Sequence, residues 1–319
     1  MTAPSSPQPP PSPSPAAVRR TAHTLSTGAI GWLYANRQRG AFAPDVTGEL
    51  TDPDSVYKPL GESALAASLI LREGIASPAD RRAAEGLMEF AWAQLREGDL
   101  LYERQLRYMM MTDPLELYTH FARAGFRHDR LHALFNHLGG LTSRGAAEQL
   151  PNRRLAVANA ARVAGLDRQA DWAVLTDATW LGQTPEPWAI DWMTAYCMTH
   201  TVFHVTDWGG RPDALSPRIQ DYLGRWLPVW IDIWQEIQEW DLVAELLIVD
   251  ACLPEPRSAP EVWERLAAVQ RPDGLVPRNG EPVTDDPDEA FREHQHTTVV
   301  AAVAGTLALS RHRGARALV

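Results

Sequence analysis

The stretch from Trp192 to Gly210 combines histidine and aspartate with apolar and aromatic residues. Wound as an α-helix, it places two imidazoles and a carboxylate on one face, because residues at i, i+4 and i+7 lie above one another. These side chains are His200, His204 and Asp207. A buried polar group without a partner costs roughly 1 to 3 kcal/mol. We therefore expect this face to line a cleft or to bind a partner.

Two later segments add ligand-type side chains. Asp241 and Glu245 lie in WDLVAELLIVDAC, and His294 and His296 lie in EHQHTTVVAAVAG. Imidazole together with carboxylate suits zinc or iron, and a catalytic site keeps one coordination position open for water or substrate. The sequence thus predicts a divalent metal, zinc or iron. The predicted metal ligands are His200, Asp207, Glu245 and His296.

The same side chains also have simpler interpretations. His204 could donate to a backbone carbonyl in the core, and Glu245 could pair with Arg153 or Arg154 of another helix. Asp207 lies at the negative end of its helix dipole, so it requires a nearby cation, which a metal, a protonated His204 or Arg211 would supply. A metal-free alternative uses Glu245 with a histidine as an acid/base pair. We expect Glu245 and His204 to be the catalytic residues.

The elements that must position these groups are helices. From Val18 nearly to the end, the apolar residues recur with helical spacing and almost no stretch alternates with period two. Ser77-Pro78 and Asp113-Pro114 each place a capping side chain before a proline at a helix start. The twelve predicted helices lie near residues 18–38, 61–73, 78–97, 113–124, 128–138, 152–164, 167–178, 189–207, 215–237, 239–252, 260–270 and 294–310.

Twelve helices make six hairpins, which predicts an all-α fold, a single (α/α)6 toroid with the even-numbered helices inside. The helices that carry His200, Glu245 and His296 then belong to the inner layer. Three further side chains on inner helices are expected to contact substrate in the same cavity. They are Glu62, His120 and Arg154.

Aromatic residues and one long loop complete the predicted cavity. Eight of the twelve tryptophans fall between Trp180 and Trp240. They either line a cavity for an apolar substrate, with Trp192 as a substrate contact, or pack in the core. The connection from Pro272 to Glu293 is expected to cover the mouth, because loops of this length are often functional.

The composition excludes several classes of protein. The 319 residues include Lys+Arg 30 and Asp+Glu 40, which gives a net charge of −10 and argues against nucleic-acid binding. The two cysteines, Cys197 and Cys252, imply no disulfide scaffold. Residues 1–17, with seven prolines and four serines, are predicted to be a disordered tail before a single domain at 18–319. No apolar run is long enough to cross a membrane, so we expect a cytoplasmic protein.

Several motifs resemble those of the α/α toroid superfamily, which includes terpenoid cyclases and protein prenyltransferase β subunits. Residues 270–274, QRPDG, resemble the QxxDG turn of that superfamily. Asp250 and Cys252 form a DxC pair and His296 opens an HT pair, which are similar to the zinc ligands of prenyltransferase β subunits. The chain also resembles actinobacterial proteins with a THxxFxxTDxG segment and a later HTT segment, a resemblance that implies no activity.

These observations favour a metal-dependent enzyme of specialised, natural-product metabolism such as antibiotic biosynthesis. It would act on an apolar or peptidic intermediate, for example as a cyclase or a transferase. Two alternatives stay open: a non-catalytic helical scaffold that binds a partner, and a metal-free acid/base cyclase or isomerase. A small-molecule or peptide substrate is expected, whereas the oligomeric state is not predictable from the sequence.

Overall fold

The computed structural model describes residues 15–49 and 57–317, and every regular element in this part of the chain is helical. Residues 1–14 of the predicted tail lie outside the described residues, and the first helix begins at Pro15, three residues before the predicted start. The α-helices are α1 Pro15–Asn36, α2 Lys58–Glu73, α3 Pro78–Gln94, α4 Asp99–Arg107, α5 Asp113–Arg123, α6 Asp129–Gly139, α7 Thr142–Ala146, α8 Pro151–Val163, α9 Trp172–Asp177, α10 Trp192–Thr206, α11 Pro217–Glu236, α12 Trp240–Cys252, α13 Pro260–Val269 and α14 Pro287–Ala317.

Six of these helices form a closed inner layer. Helices α2, α5, α8, α10, α12 and α14 each contact the next in chain order, and α14 closes the circle against α2. The preceding helices α1, α3, α6, α9, α11 and α13 form the outer layer. The predicted all-α (α/α)6 toroid is confirmed, and the inner helices are the even-numbered members of the predicted set.

The six inner helices run parallel. Near the beginnings of α5 and α8, Glu116 pairs with Arg153, and further along both helices Thr119 donates to the carbonyl of Ala160. In each of the other five neighbouring pairs, successive contacts also move to higher residue numbers in both helices. All the inner N-termini therefore lie at one end of the toroid, here called the mouth, and all the C-termini at the other, here called the floor.

Two short helices, α4 and α7, were not predicted. The predicted helix 78–97 ends at Gln94, because Arg96 and Glu97 adopt positive φ angles of 50° and 54° and start a new helix, α4. Such angles are uncommon for residues other than glycine, so the sequence gives no signal for this break. The Ser77 cap is present, whereas Asp113 does not cap α5 and instead accepts from Arg104.

Helices α12 and α14 explain the most apolar stretches of the sequence. All thirteen residues of α12 are buried, because it lies between two inner neighbours and an outer helix. Helix α14 packs against α1, α2 and α12. Its Gly305 lies so close to α1 that a Cβ would meet the carbonyl oxygen of Ala22 at 2.6 Å. Within the described residues, no helix has the length and apolar character needed to cross a membrane.

Arginines close the floor. Asp207, the C-cap of α10 with φ of 49°, accepts from Arg123 of α5 at 2.7 Å and lies 3.6 Å from Arg72 of α2. Arg72 also donates to the backbone carbonyls of Asp207 and Trp208, at 2.7 Å each. The expected cation is thus present, although it is neither a metal, nor His204, nor Arg211. The Arg211 guanidinium lies over the Trp172 ring instead.

The floor network makes a stability prediction. Asp207→Asn keeps the shape and tolerates a positive φ, but it leaves two largely buried guanidinium groups without their shared carboxylate. We expect the free energy of unfolding to fall by about 3 kcal/mol, as when one partner of a buried ion pair is removed. Urea unfolding followed by circular dichroism measures this change.

Asp129→Asn, at an exposed pair with Arg127, is the control and should change stability by less than about 0.5 kcal/mol. Equal effects of the two substitutions would contradict the proposed importance of the floor.

Candidate functional site

The toroid encloses a central cavity of about 580 Å³. Its open end is at the mouth, where the exposed Leu150 and Arg153 line it, and it extends down to Arg123 and Trp208 near the floor. Every inner helix supplies at least one polar side chain to the wall. One from each helix in chain order gives Glu62, His120, Asn159, His204, Glu245 and His296.

His296 of α14 lies among three carboxylates. Its Nδ1 is 2.7 Å from Oε1 of Glu62 on α2. Its Nε2 is 3.5 Å from Oδ1 of Asp241 and 3.6 Å from Oε1 of Glu245, both on α12. Hydroxyl groups of Tyr196 and Thr297 donate to Asp241 and fix its position. The imidazole is therefore held from both sides by acceptors.

The charge state of His296 follows from these neighbours. Burial alone lowers the pKa of this imidazole, but the carboxylates of Glu62, Asp241 and Glu245 outweigh burial and raise its pKa well above the ordinary value. Both ring nitrogens then carry protons, because carboxylates can only accept. His296 is an imidazolium at neutral pH and has a proton to give.

Glu245 connects two histidines. Its side chain is only 1% exposed, and Thr199 of α10 donates to Oε2. The same Oε2 lies 3.8 Å from Nδ1 of His200, while Oε1 faces His296. A single buried carboxylate thus lies between two imidazoles that line the cavity. Neither Arg153 nor Arg154 pairs with it, because Arg153 binds Glu116 at 2.6 Å and Arg154 is exposed.

His200 is oriented by a backbone carbonyl. Its Nδ1 is 2.9 Å from the carbonyl oxygen of Tyr196, one helical turn earlier. A carbonyl can only accept, so Nδ1 carries a hydrogen, and in the neutral tautomer that this contact selects, Nε2 carries the lone pair. The side chain is 39% exposed, and Nε2 has no hydrogen-bond partner among the described residues. His200 is therefore placed to accept a proton from a molecule in the cavity.

His120 and His204 line the lower part of the same cavity. Burial is the larger cause and Arg123 the smaller one that together lower the pKa of His120 to about 3. The pKa of His204 is also lowered to about 3, mainly by burial and to a smaller extent by His200, Arg153 and His120. Neither imidazole forms a hydrogen bond within the described part of the chain, so His204 does not donate to a core carbonyl. Both are neutral polar groups that face the cavity.

The predicted metal ligands do not form one centre. His200, Glu245 and His296 come together, but Asp207 binds two arginines at the floor. In the described part of the chain, no three His, Cys, Asp or Glu side chains are arranged to hold a metal ion. Zinc or iron stays a prediction, and no step of the chemistry below uses a metal.

The prenyltransferase-like zinc pair is also separated. Asp250 accepts from the backbone N–H groups of Arg257 and Ser258 and so fixes the loop after α12. Burial raises the pKa of the Cys252 thiol to about 12. Both residues lie at the floor end of α12, one to two turns below Glu245, whereas His296 is level with Glu245. The resemblance in residue type and order therefore does not correspond to a shared site.

The QxxDG-like turn has a structural role. Gln270 donates to the carbonyl of Leu25 in α1 and to that of Gly274, both at 3.0 Å. Gly274 has φ of 101°, and a Cβ there would meet the carbonyl oxygen of Gly28 at 2.1 Å, so no other residue fits. The connection that follows packs against α12 and α14 through Val276 and Arg278, and none of its residues lines the cavity. The expectation that it covers the mouth receives no support from these contacts.

Two predicted substrate contacts lie elsewhere. Arg154 lines a surface depression with Arg144 and Arg168, because it is one position beyond the residue that faces the cavity. Trp192, in the first turn of α10, is 44% exposed and packs on Tyr196. Of the eight tryptophans between residues 180 and 240, only Trp208 lines the cavity. The wall is thus rich in histidine and carboxylate, and the expectation of an aromatic lining is corrected.

Sequence reasoning also missed cavity residues. Glu116, His120 and Arg123 follow the i, i+4, i+7 spacing on α5, as His200, His204 and Asp207 do on α10. Of these three, the sequence prediction included only His120. The same i, i+4, i+7 spacing is the signal that identifies Glu116 and Arg123.

The buried histidines predict acid sensitivity. The folded-state pKa of His120 and His204 is depressed to about 3, while the unfolded value is about 6.5. Their contribution to stability is thus complete above pH 6.5 and is lost as pH falls toward 3. Each histidine contributes a slope of up to about 1.4 kcal/mol per pH unit in that window. Thermal unfolding of the wild type and of His120→Gln/His204→Gln between pH 7 and 4 measures it. A slope that is the same in both proteins would contradict this assignment.

The charge on His296 is directly measurable. Glu62→Gln removes the carboxylate nearest to its Nδ1, so the pKa of His296 should fall toward 6.5. Long-range ¹H–¹⁵N spectra of the histidine rings, recorded across pH, report this value. Glu281→Gln, an exposed residue of the loop before α14, serves as control. A neutral His296 at pH 7 in the wild type would overturn its assignment as the acid.

Comparison with known proteins places the chain in a family. No curated protein and no solved structure matches the chain. A family model covers residues 26–306, which include all six inner helices except the last turns of α14. By that match the chain belongs to the family described as domain of unknown function DUF6895.

Proposed function

We propose that this protein is a metal-free acid/base enzyme that isomerises or cyclises a small molecule in the central cavity. The observation that carries the proposal is the position of Glu245, which lies between His296, whose pKa its carboxylate neighbours raise, and His200, whose Nδ1 faces a backbone carbonyl and leaves Nε2 for the cavity. Both histidines line a cavity of about 580 Å³, within the range of small-molecule sites. An acid and a base with separated pKa values are the requirement for general acid/base catalysis.

The reaction moves one proton off the substrate and one proton onto it. Nε2 of His200 takes a proton from the substrate, and His296 gives a proton to another substrate atom. The electron pair released by the first step shifts within the substrate to the atom that receives the second proton. No electrons leave the substrate, so no oxidant or reductant is required.

Glu245 resets the two histidines. After turnover, His200 is an imidazolium and His296 is neutral. The Nδ1 proton of His200 can pass to Oε2 of Glu245, 3.8 Å away, while His296 is reprotonated from Oε1, 3.6 Å away. Rotation of the carboxyl group carries the proton from Oε2 to Oε1, and the carboxylate returns to its initial state. His200 is then left with its remaining proton on Nε2, and exchange with water at its 39% exposed side chain moves a proton back to Nδ1, which restores the base. This assigns Glu245 the relay and His200 and His296 the contacts with substrate, and it places His204 in substrate binding.

The biological setting is also a proposal. A small-molecule or peptide intermediate of specialised metabolism, converted in the cytoplasm, suits a net charge of −10 and a cavity with acid/base groups. Isomerases and cyclases of this type need no cofactor. The scaffold alternative gives no role to the raised pKa of His296 or to the unpartnered Nε2 of His200.

Isotope exchange tests the reaction without knowledge of the substrate. We expect a cell metabolite extract incubated in D₂O with the wild type to contain a compound that gains deuterium or changes retention time. His296→Gln and Glu245→Gln should abolish the change, because each removes a proton-transfer group. His137→Gln, exposed on α6, is the control and should behave as wild type. Mass spectrometry identifies the compound.

Two results would contradict the proposal. Exchange that is equal in the wild type and in His296→Gln would remove the acid from the mechanism. Near-stoichiometric zinc or iron in the purified protein, lost in folded His200→Ala and His296→Ala variants, would favour the metal-dependent enzyme instead.

A further inference from the structure

Unpartnered polar atoms are concentrated in the cavity wall. In the described part of the chain, nine buried side-chain nitrogen or oxygen atoms lack a hydrogen-bond partner. Buried polar groups are normally paired, so each such atom requires an explanation. Five of the nine belong to residues that line the central cavity. They are the Tyr57 hydroxyl, Oε2 of Glu62, Oε1 of Glu116, Nδ1 of His120 and Nε of Arg123.

These atoms divide by chemical type along the axis of the toroid. The carboxylate oxygens of Glu62 and Glu116 lie toward the mouth. They are at a similar height along the axis, because the preceding residue of α2, Gly61, lies against the following residue of α5, Leu117. The nitrogens of His120 and Arg123 lie one and two turns lower on α5. At a rise of 1.5 Å per residue, the Cα atoms of Glu116 and Arg123 are about 10 Å apart. The upper cavity thus offers acceptors and the lower cavity offers donors.

The upper part of the cavity has an excess of negative charge. Four carboxylates lie in or just behind this wall, on Glu62, Glu116, Asp241 and Glu245. They face three cations, which are Lys58, Arg153 and the His296 imidazolium. One negative charge is left without a partner among these groups.

The lower part has the opposite excess. Arg72, Arg123 and Arg162 surround the floor, where Arg162 donates to the Asn159 side chain, which in turn donates to Asp207. Glu73 and Asp207 are the carboxylates that pair with these groups, so one of the three guanidinium charges has no carboxylate partner within the described residues. The Arg123 side chain is 6% exposed and its Nε still has an unused hydrogen.

The wall of the cavity also carries an apolar part. It consists of short aliphatic side chains from α2, α5, α8 and α14, which lie beside the histidines of α10, namely Leu65, Leu117, Ala156, Ala160, Val299 and Val300. Water can hydrogen-bond to single polar atoms, but it cannot balance charges of opposite sign at the two ends of such a cavity. A molecule with a charge at each end can.

We infer that the cavity binds a zwitterionic ligand of amino-acid or short-peptide type, with its ammonium group at Glu62 and Glu116 and its carboxylate at His120 and Arg123. An ammonium group donates to the two unpartnered carboxylate oxygens, and a carboxylate accepts from the imidazole and from the guanidinium Nε. The apolar part of the wall contacts the aliphatic part of the ligand. This inference rests on the proposed function, for which it names the substrate class.

Calorimetry with matched ligands tests this inference without turnover. The probes are alanine, alanyl-leucine and alanyl-alanyl-leucine, each also as the N-acetyl derivative and as the C-terminal amide. For the best zwitterion, we expect either modification to weaken binding about tenfold or more, equivalent to about 1.4 kcal/mol. Loss of a charged partner at a buried site has an effect of at least this size.

Substitutions assign the two ends. Glu116→Gln should weaken the zwitterion but not its N-acetyl derivative, and His120→Gln should weaken the zwitterion but not its amide. Glu103→Gln, at an exposed pair with Arg96, is the control. Binding that is equal for a zwitterion and its capped forms, or no binding by any zwitterion at millimolar concentration, would overturn the inference.

The test separates this inference from the proposed function. His200→Gln should bind the zwitterion nearly as well as the wild type does, because the contacts of His200 are with Tyr196, Thr199 and Glu245 and not with the proposed charge sites, but it should no longer exchange deuterium. Zwitterion binding without any exchange would contradict the acid/base reaction alone. Exchange on a compound that has no ammonium or carboxylate group would contradict the ligand class alone.

Discussion

Six parallel inner helices impose the constraint on which the rest of the structure depends. Their dipoles point the same way, so six partially positive ends meet at the mouth and six partially negative ends meet at the floor. Arg72 and Arg311 bind backbone carbonyls at the floor end of α10 and α12, and they neutralise these ends with charged donors. Without such cations the floor would expose carbonyl groups and the Asp207 carboxylate to one another. These contacts hold the floor ends of the inner helices together below the cavity.

The same constraint shapes the chemistry above the floor. Carboxylates are stabilised near helix N-termini, and Glu116 and Asp241 both lie in a first turn. Asp241, together with Glu62 and Glu245, raises the pKa of His296, whereas burial, more than the neighbouring charges, lowers the pKa of His204, one turn below His200. Carboxylates near the mouth and burial lower in the cavity thus shift the pKa of the same residue type in opposite directions.

Helical periodicity was sufficient to predict the toroid and its inner layer, because a buried inner helix has a distinctive apolar pattern. The pattern also placed His200, Glu245 and His296 together. It could not supply the partners of Asp207, since Arg72 and Arg123 lie 135 and 84 residues away in the chain. Nor could it decide which of Arg153 and Arg154 faces the cavity. Successive side chains of a helix are rotated by about 100° about its axis, so neighbours in the sequence can face the cavity and the surface. The break at Arg96 and Glu97 has no residue-type signal.

The closure of α14 against α2 has a consequence for how the protein folds. Contacts such as that of Gln295 with Pro59 join residues 236 positions apart, and His296 meets Glu62 across 234 positions. Such non-local contacts form slowly, because a long loop must be ordered before they contribute. During synthesis, the first five inner helices can only form an open arc with an apolar edge. The cavity, its acid and its closed floor all come into existence in the last step, when the C-terminal helix fills the gap.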